Sequence, residues 1–149
     1  MKPVEEFMRE FFRARDVDHQ REMASRAPFR ERYYADECQT DSRSGILEML
    51  QSEEIVSVDG SATKATVITA HKNPFYKLGA QTPRKRYHLK SSGDSWLIQF
   101  VEAECPFCHG LGDEKCVYCK GKHWRREGLT AEEREREDKG NPPPSPPEG

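Results

Sequence analysis

Nowhere in its 149 residues does the chain hold an uninterrupted apolar run approaching the roughly 20 residues that cross a bilayer, so no membrane-spanning helix is expected. The opening MKPVEEFMREFF places acidic residues where a secretory leader needs a positive stretch and then apolar residues; export is not expected, and a cytoplasmic setting is. A large excess of charge of one sign is missing as well. With 24 Lys and Arg against 26 Asp and Glu, the formal net charge is -2, which gives no global field to draw nucleic acid or an anionic membrane. Any such contact must come from a local patch. Large apolar side chains nearly vanish over residues 125–149, where Leu129 stands almost alone, so that segment cannot build a core. Cysteine is scarce outside one short stretch: four of the five lie between residues 105 and 119, leaving Cys38 as an isolated thiol expected to be buried or half-buried.

What the sequence does contain is ordered. Val4, Phe7, Met8, Phe11 and Phe12 recur at the spacing of one helix face, with Pro3 suited to the first turn, which predicts an amphipathic helix. The aspartates of ARDVD can cap a new start, giving a short helix over residues 18–26, and Pro28 can open another through PFRERYYADEC. Ser44 and GILEMLQ suggest a further turn or two of helix. From Glu54 the period changes to two. EIVSV and ATKATVITAH flank Asp59-Gly60, a dipeptide fitted to the positive φ of a tight hairpin. KRYHLK and SWLIQFVEA flank SSGD, where Gly93 can supply the second turn. Four antiparallel strands are therefore expected, with NPFYKLGAQTP as a long connection between the hairpins. Thr130 and Glu133 form a capping-box pattern before AEEREREDK, a helix without an apolar face, and NPPPSPPEG is expected to be a solvated or polyproline II tail.

The stretch CPFCHGLGDEKCVYCKGKHW carries the chemistry. Two Cys-x-x-Cys pairs this close admit three readings: disulfides, a redox centre or a metal site. A reducing compartment disfavours disulfides, and a thioredoxin-like centre needs one pair at a helix start within a βαβ context. A tetrahedral zinc takes four thiolates, two from each turn, and Gly110, Gly112 and Gly121 let backbone amides approach the sulfurs. Cys105, Cys108, Cys116 and Cys119 are thus the expected ligands of one structural zinc. His109 and His123 are left over, because four thiolates close the shell. CPFCHGLG resembles the Cys-x-x-Cys-x-Gly-x-Gly repeat of the cysteine-rich domain of DnaJ-type chaperones. CVYCKGKH resembles it too, except that His123 stands where the last glycine falls. Two repeats in place of four imply half of such a unit, with one zinc, as a protein-binding or stabilising knuckle.

The order of an amphipathic helix, short helices ending in YYADE, and hairpins closing on YHLKSSGDSWLI resembles the nuclear transport factor 2-like superfamily, also called SnoaL-like, over residues 3–103. Periodicity independently gives an α+β arrangement of helices on one face of a curved antiparallel sheet. The resemblance implies a cone-shaped cavity, which hosts enzymes in some members and ligands or nothing in others. The pocket candidates are Tyr33, Tyr34, Asp36 and His71, with Tyr87 and His88 also weighed; none forms a motif. Alternation in RKRYHLK puts Tyr87 and Leu89 on one face and Arg86, His88 and Lys90 on the other, so His88 is expected to face solvent or an interface. Arg84, Lys85, Arg86 and Lys90 are read as a solubilising face, and nucleic acid is not expected as a partner.

The division that follows is a domain over 1–103, a four-cysteine zinc knuckle over 104–124, and a charged helix with a proline-rich tail over 125–149. The expected function is a non-enzymatic binding module for a protein partner or a small apolar ligand. The alternative is a SnoaL-like hydrolase, isomerase or dehydratase. In SWLIQFVEA, alternation sets Trp96, Ile98 and Phe100 on one face and Leu97 and Val101 on the other, leaving apolar residues on both sides. A homodimer through the open face of the sheet is expected, in competition with a knuckle folded back over it.

Overall fold

The computed structural model describes residues 2–19, 26–38, 50–72, 84–104, 124–128 and 131–138. In chain order these form α1 (Val4–His19), α2 (Arg26–Tyr33), β1 (Glu54–Gly60), β2 (Lys64–Ala70), β3 (Arg84–Ser92), β4 (Ser95–Glu104), β5 (Trp124–Arg126) and α3 (Ala131–Asp138). The strands make one open antiparallel sheet in the sequential order β1-β2-β3-β4-β5. The fold is therefore α+β. Among the described residues no helix is long and apolar enough to cross a membrane.

α1 lays its apolar stripe on the sheet. Phe7, Met8 and Phe11 are fully buried, and Val4, Phe12 and Ala14 pack at the margin. The helix runs on through ARDVD to His19, so the aspartates there do not cap a new helix. The reason lies one turn after Phe11, where Arg15 continues the buried stripe and is anchored from within the core. α2 adds Phe29 and Tyr33, and Tyr34 follows it; their rings gather around Phe11 at centroid distances of 5.7–5.8 Å, together with Tyr87 from β3. Phe29 stacks on Phe11 while the three tyrosines meet it edge-on, arrangements that suit the aromatic quadrupole. After α2 the chain touches the edge of β4: Tyr34 bridges Ile98, and Ala35 N donates to Ile98 O at 2.9 Å.

Both hairpins form, but the first turns one step later than Asp59-Gly60. Gly60 is the last residue of β1, opposite Ala65, and Ser61 N donates to Lys64 O at 2.7 Å to close the turn. Its role is close approach: a Cβ at Gly60 would sit 2.6 Å from the Lys64 carbonyl oxygen and 2.8 Å from the Ala65 Cβ. Gly60→Ala should therefore destabilise the protein by about 1–3 kcal/mol, read as a lower urea midpoint at unchanged slope. Gly93 does supply the second turn, at φ 59°, between the paired Ser92 and Ser95.

The alternation in β4 breaks at Gln99. His88 pairs with Phe100 but Leu89 pairs with Ile98, so Gln99 is an extra residue in a β-bulge. The bulge sends Val101 inward beside Trp96 and Ile98, while Phe100 turns out to join Leu97. The expected grouping of Phe100 with Trp96 and Ile98 is thus corrected, as is that of Val101 with Leu97. The sheet also gains a strand beyond the four expected. β5 begins at residue 124, which the sequence division made the last of the knuckle, and pairs with β4 through Glu104↔Trp124, Ala103↔Arg125 and Glu102↔Arg126. α3 follows, with Glu132, Glu135 and Arg136 exposed, as its lack of an apolar face requires.

Candidate functional site

The inner face of the sheet is apolar at one end and polar at the other. Val67, Tyr87, Leu89, Ile98 and Val101 meet the helices, whereas Thr69, Lys85 and Arg125 lie in one row across β2, β3, β4 and β5, on either side of Ala103. At the junction sits Glu53, the residue before β1. Arg15 Nη1 donates to Glu53 Oε1 at 2.5 Å, and Glu53 Oε2 accepts from Thr69 Oγ1 at 2.5 Å and from the Tyr87 hydroxyl at 2.6 Å. Arg15 Nη2 donates to the Leu50 carbonyl at 2.8 Å. The side chains of Arg15 and Glu53 are 0% and 1% exposed.

Burial pushes the Glu53 carboxyl up, but Arg15, Lys85 and the two hydroxyl donors outweigh it and hold the group below its ordinary value of 4.5. Tyr87 moves the other way: burial and the neighbouring Glu53 charge raise its phenol well above 10.0. The cluster is therefore an ionised carboxylate with both oxygens engaged and a phenol that keeps its proton. This fastens the C-terminal part of α1 to the sheet.

The four pocket candidates are not brought to one point. Tyr33 and Tyr34 are buried in the aromatic cluster, and Asp36 is exposed in the turn after it. His71 follows β2 and is half-buried. Its burial and the Lys85 charge hold the imidazole below its ordinary 6.5, against the pull of Glu53. Its Nδ1 is buried and has no hydrogen-bond partner among the described residues. Tyr34 and His71 lie within electrostatic reach of the cluster, Tyr34 through Tyr87 and His71 through Glu53. Arg15 and Glu53 were not among the sequence candidates. The signal for Arg15 was a charge on an otherwise apolar helix face, four residues after Phe11; Glu53 gave none, because one acid beside another at a strand start looks like a solvated edge.

A separate groove of about 430 Å³ lies between the start of α1, α2 and the β3–β4 turn, lined by Lys2, Glu10, Arg32, Tyr33, Trp96 and Leu97 among others. Lys2 pairs with Glu10 at 2.7 Å, and Trp96 Nε1 donates to the Lys2 carbonyl at 2.8 Å, tying the N-terminal segment to the hairpin.

On the outer face the cations of the basic stretch each meet a carboxylate. Arg84 pairs with Glu104 at 2.5 Å and Arg86 with Glu102 at 2.8 Å, while Lys90 pairs with Glu37 at 2.8 Å. Lys85, from the inner face, reaches Glu127 at 3.3 Å. His88 Nε2 also contacts Glu102, and its ring stacks on Phe100 at 4.0 Å. Arg126 covers Phe100 at 4.2 Å, and Arg84 and Arg86 lie 5.3 and 4.5 Å from the Trp124 ring centre. The result is a ladder of guanidinium, ring and carboxylate across β3, β4 and β5.

Burial alone would raise Glu102, but His88 and Arg86 bring it down to about 2. A carboxyl lowered by folding stabilises the protein above its unfolded value, near 4.5, and that contribution disappears as pH falls through about 2. Glu102→Gln should lower stability by about 1–3 kcal/mol at neutral pH and flatten the acid-unfolding curve between these two values, measured by circular dichroism.

The four cysteines expected to bind zinc, Cys105, Cys108, Cys116 and Cys119, lie outside the described residues, and among the described residues no group of three or more His, Cys, Asp or Glu could hold a metal. Cys38 is buried in the core, as expected of it. No family model, no curated protein and no solved structure matches the chain.

Proposed function

We propose that the chain is a binding module and not an enzyme: a nuclear transport factor 2-like domain, its helices and sheet enclosing a cone, that carries a DnaJ-type zinc knuckle in its last hairpin and holds a protein partner. The observation that carries this reading is the saturation of Glu53. It is the most buried carboxylate in the described polar cluster, yet three side-chain donors occupy its two oxygens, so it holds structure in place of taking a proton from a substrate. The outer face, by contrast, offers arginine and aromatic groups in an ordered array, residue types that protein interfaces favour.

Zinc fits the donor set. Cys105, Cys108, Cys116 and Cys119 are four soft thiolate donors in two pairs, which suit a closed tetrahedral shell, and the ion would serve to close the segment, not to activate water. The pairing of Glu104 with Trp124 supports this, because residues 105–123 then leave and rejoin the sheet at neighbouring points. Elemental analysis of protein purified under reducing conditions should find one zinc per chain, with four of five thiols protected until a chelator is added. Substoichiometric metal with freely reactive thiols would overturn the knuckle.

The enzymatic alternative rests on His71, whose buried Nδ1 has no hydrogen-bond partner among the described residues and lies near Glu53. Turnover of a small molecule that disappears in a folded His71→Ala protein would favour it over the binding module. A small apolar ligand is the other occupant the cone reading allows, and such a ligand should raise the thermal midpoint without being consumed.

A further inference from the structure

β1 forms one edge of the sheet: it pairs with β2 on one side and, among the described residues, with no strand on the other. Residues 56–60 of the strand are all exposed. Exposed edges are commonly guarded by bulges and charges, and β1 has both, with Val56 as the extra residue of its bulge and Glu54 and Asp59 near its ends. Yet two of its positions are valines left open to solvent. Val56 is 57% exposed and Val58 37%, and Val58 ends an apolar row that crosses the inner face through Val67, Tyr87 and Val101. That row is fully buried as far as β2 and open only at β1. Glu54 and Asp59 lie on the outer face, in the rows of Arg84 and His88. Glu37, Glu102 and Glu104 each meet a cation, whereas Glu54 and Asp59 meet none among the described residues.

We propose that the free edge of β1 is a docking strand for an extended, basic segment of a partner protein, which adds to the sheet antiparallel to β1 with an apolar residue beside Val58 and a lysine or arginine opposite each of Glu54 and Asp59. The backbone of β1 supplies the attachment, and the two unspent carboxylates select the occupant. A second copy of the chain does not fit the same seat. Joining two β1 strands in the register that matches inner face to inner face over the greatest length sets Glu54 of one copy opposite Asp59 of the other, twice, and like charges directly opposite each other repel. The guard is thus selective: it turns away another β1 and admits a basic strand. β1 offers this seat apart from the zinc knuckle and the outer face of β3 and β4, so a failure here leaves the proposed binding module standing on those.

Two capped peptides test the edge on the full chain, Thr-Lys-Val-Thr-Val-Lys-Thr and its counterpart with glutamate for both lysines. The lysine peptide should slow amide exchange over residues 55–59 about tenfold, leave residues 101–104 of β4 unchanged, and bind about tenfold more tightly than the glutamate peptide. Both acidic positions are exposed, so the double variant Glu54→Lys with Asp59→Lys should fold and invert that preference. If circular dichroism shows that it does not fold, Glu54→Gln with Asp59→Asn takes its place, and in that protein the preference should vanish. No binding of the lysine peptide at millimolar concentration, equal affinity for the two peptides, protection gained away from β1, or a preference that survives the change of charge would each overturn the docking strand.

Discussion

Replacing Glu53 by alanine should cost about 3–5 kcal/mol of folding stability, the largest effect expected of any polar substitution in the described core. The loss comes less from the missing attraction than from what is left behind. Arg15 is fully buried, and without Glu53 its guanidinium retains the Leu50 carbonyl and a longer contact to Asp16 at 3.6 Å. Thr69 and Tyr87 lose their acceptor at the same time. Tyr87→Phe removes one donor only and should cost about 1–2 kcal/mol. Exchanging the pair together, Arg15→Met with Glu53→Leu, should recover most of the loss, since apolar residues of similar size can replace a buried ion pair at little net cost. Urea denaturation of the four proteins measures this, and a Glu53→Ala loss below about 1 kcal/mol would refute the account. The pH dependence has a definite sign. Folding lowers the Glu53 carboxyl, so its contribution is present above the unfolded value near 4.5 and is lost on acidification, and Glu53→Ala should abolish that part of the acid sensitivity.

The sheet and the first helix were legible in the sequence because both announce themselves by period. Val67 and Thr69 alternate with half-buried neighbours along β2, and Tyr87 and Leu89 do so along β3, so one face is specified wherever one face is buried. Three features were not legible, each for a physical reason. The bulge at Gln99 changes which residues share a face without changing the composition of the strand, so SWLIQFVEA looks the same with or without it. β5 is too short to show a period, and it is basic where a buried strand would be apolar; its Trp-Arg-Arg is stabilised by guanidinium groups from β3 and the Phe100 ring of β4, distant in the chain. The partnership of Arg15 with Glu53 spans 38 positions, and no local pattern encodes it. Asp59-Gly60 shows the converse, a strong local turn signal overridden by the register. Glycine there serves the close approach of β2, and the turn forms at Ser61–Thr63.

Ile98→Glu and Leu97→Glu should separate the two faces of β4 sharply, although the residues are neighbours in sequence and alike in size. Ile98 is fully buried, opposite Leu89 and bridged by Tyr34, so a carboxylate there would be desolvated among apolar and aromatic side chains. A loss of more than about 4 kcal/mol is expected, enough to unfold a domain of ordinary stability. Leu97 points outward beside Lys90, where a carboxylate gains a basic neighbour, and the substitution should change stability by no more than about 0.5–1 kcal/mol. That tolerance makes Leu97→Glu the appropriate probe of self-association, a role that Ile98 cannot serve. Ile68, Leu97 and Phe100 put apolar surface on the outer face between the charged pairs, and a second copy of the chain is the occupant expected there. Light scattering at micromolar concentration should then give the unmodified protein a mass near twice the 17.2 kDa chain and give folded Leu97→Glu the mass of one. A single-chain mass for both proteins would remove the dimer, and the guanidinium, ring and carboxylate ladder would then be sufficient cover for that face, since Arg84, Arg86 and Arg126 already lie over its half-buried aromatic rings.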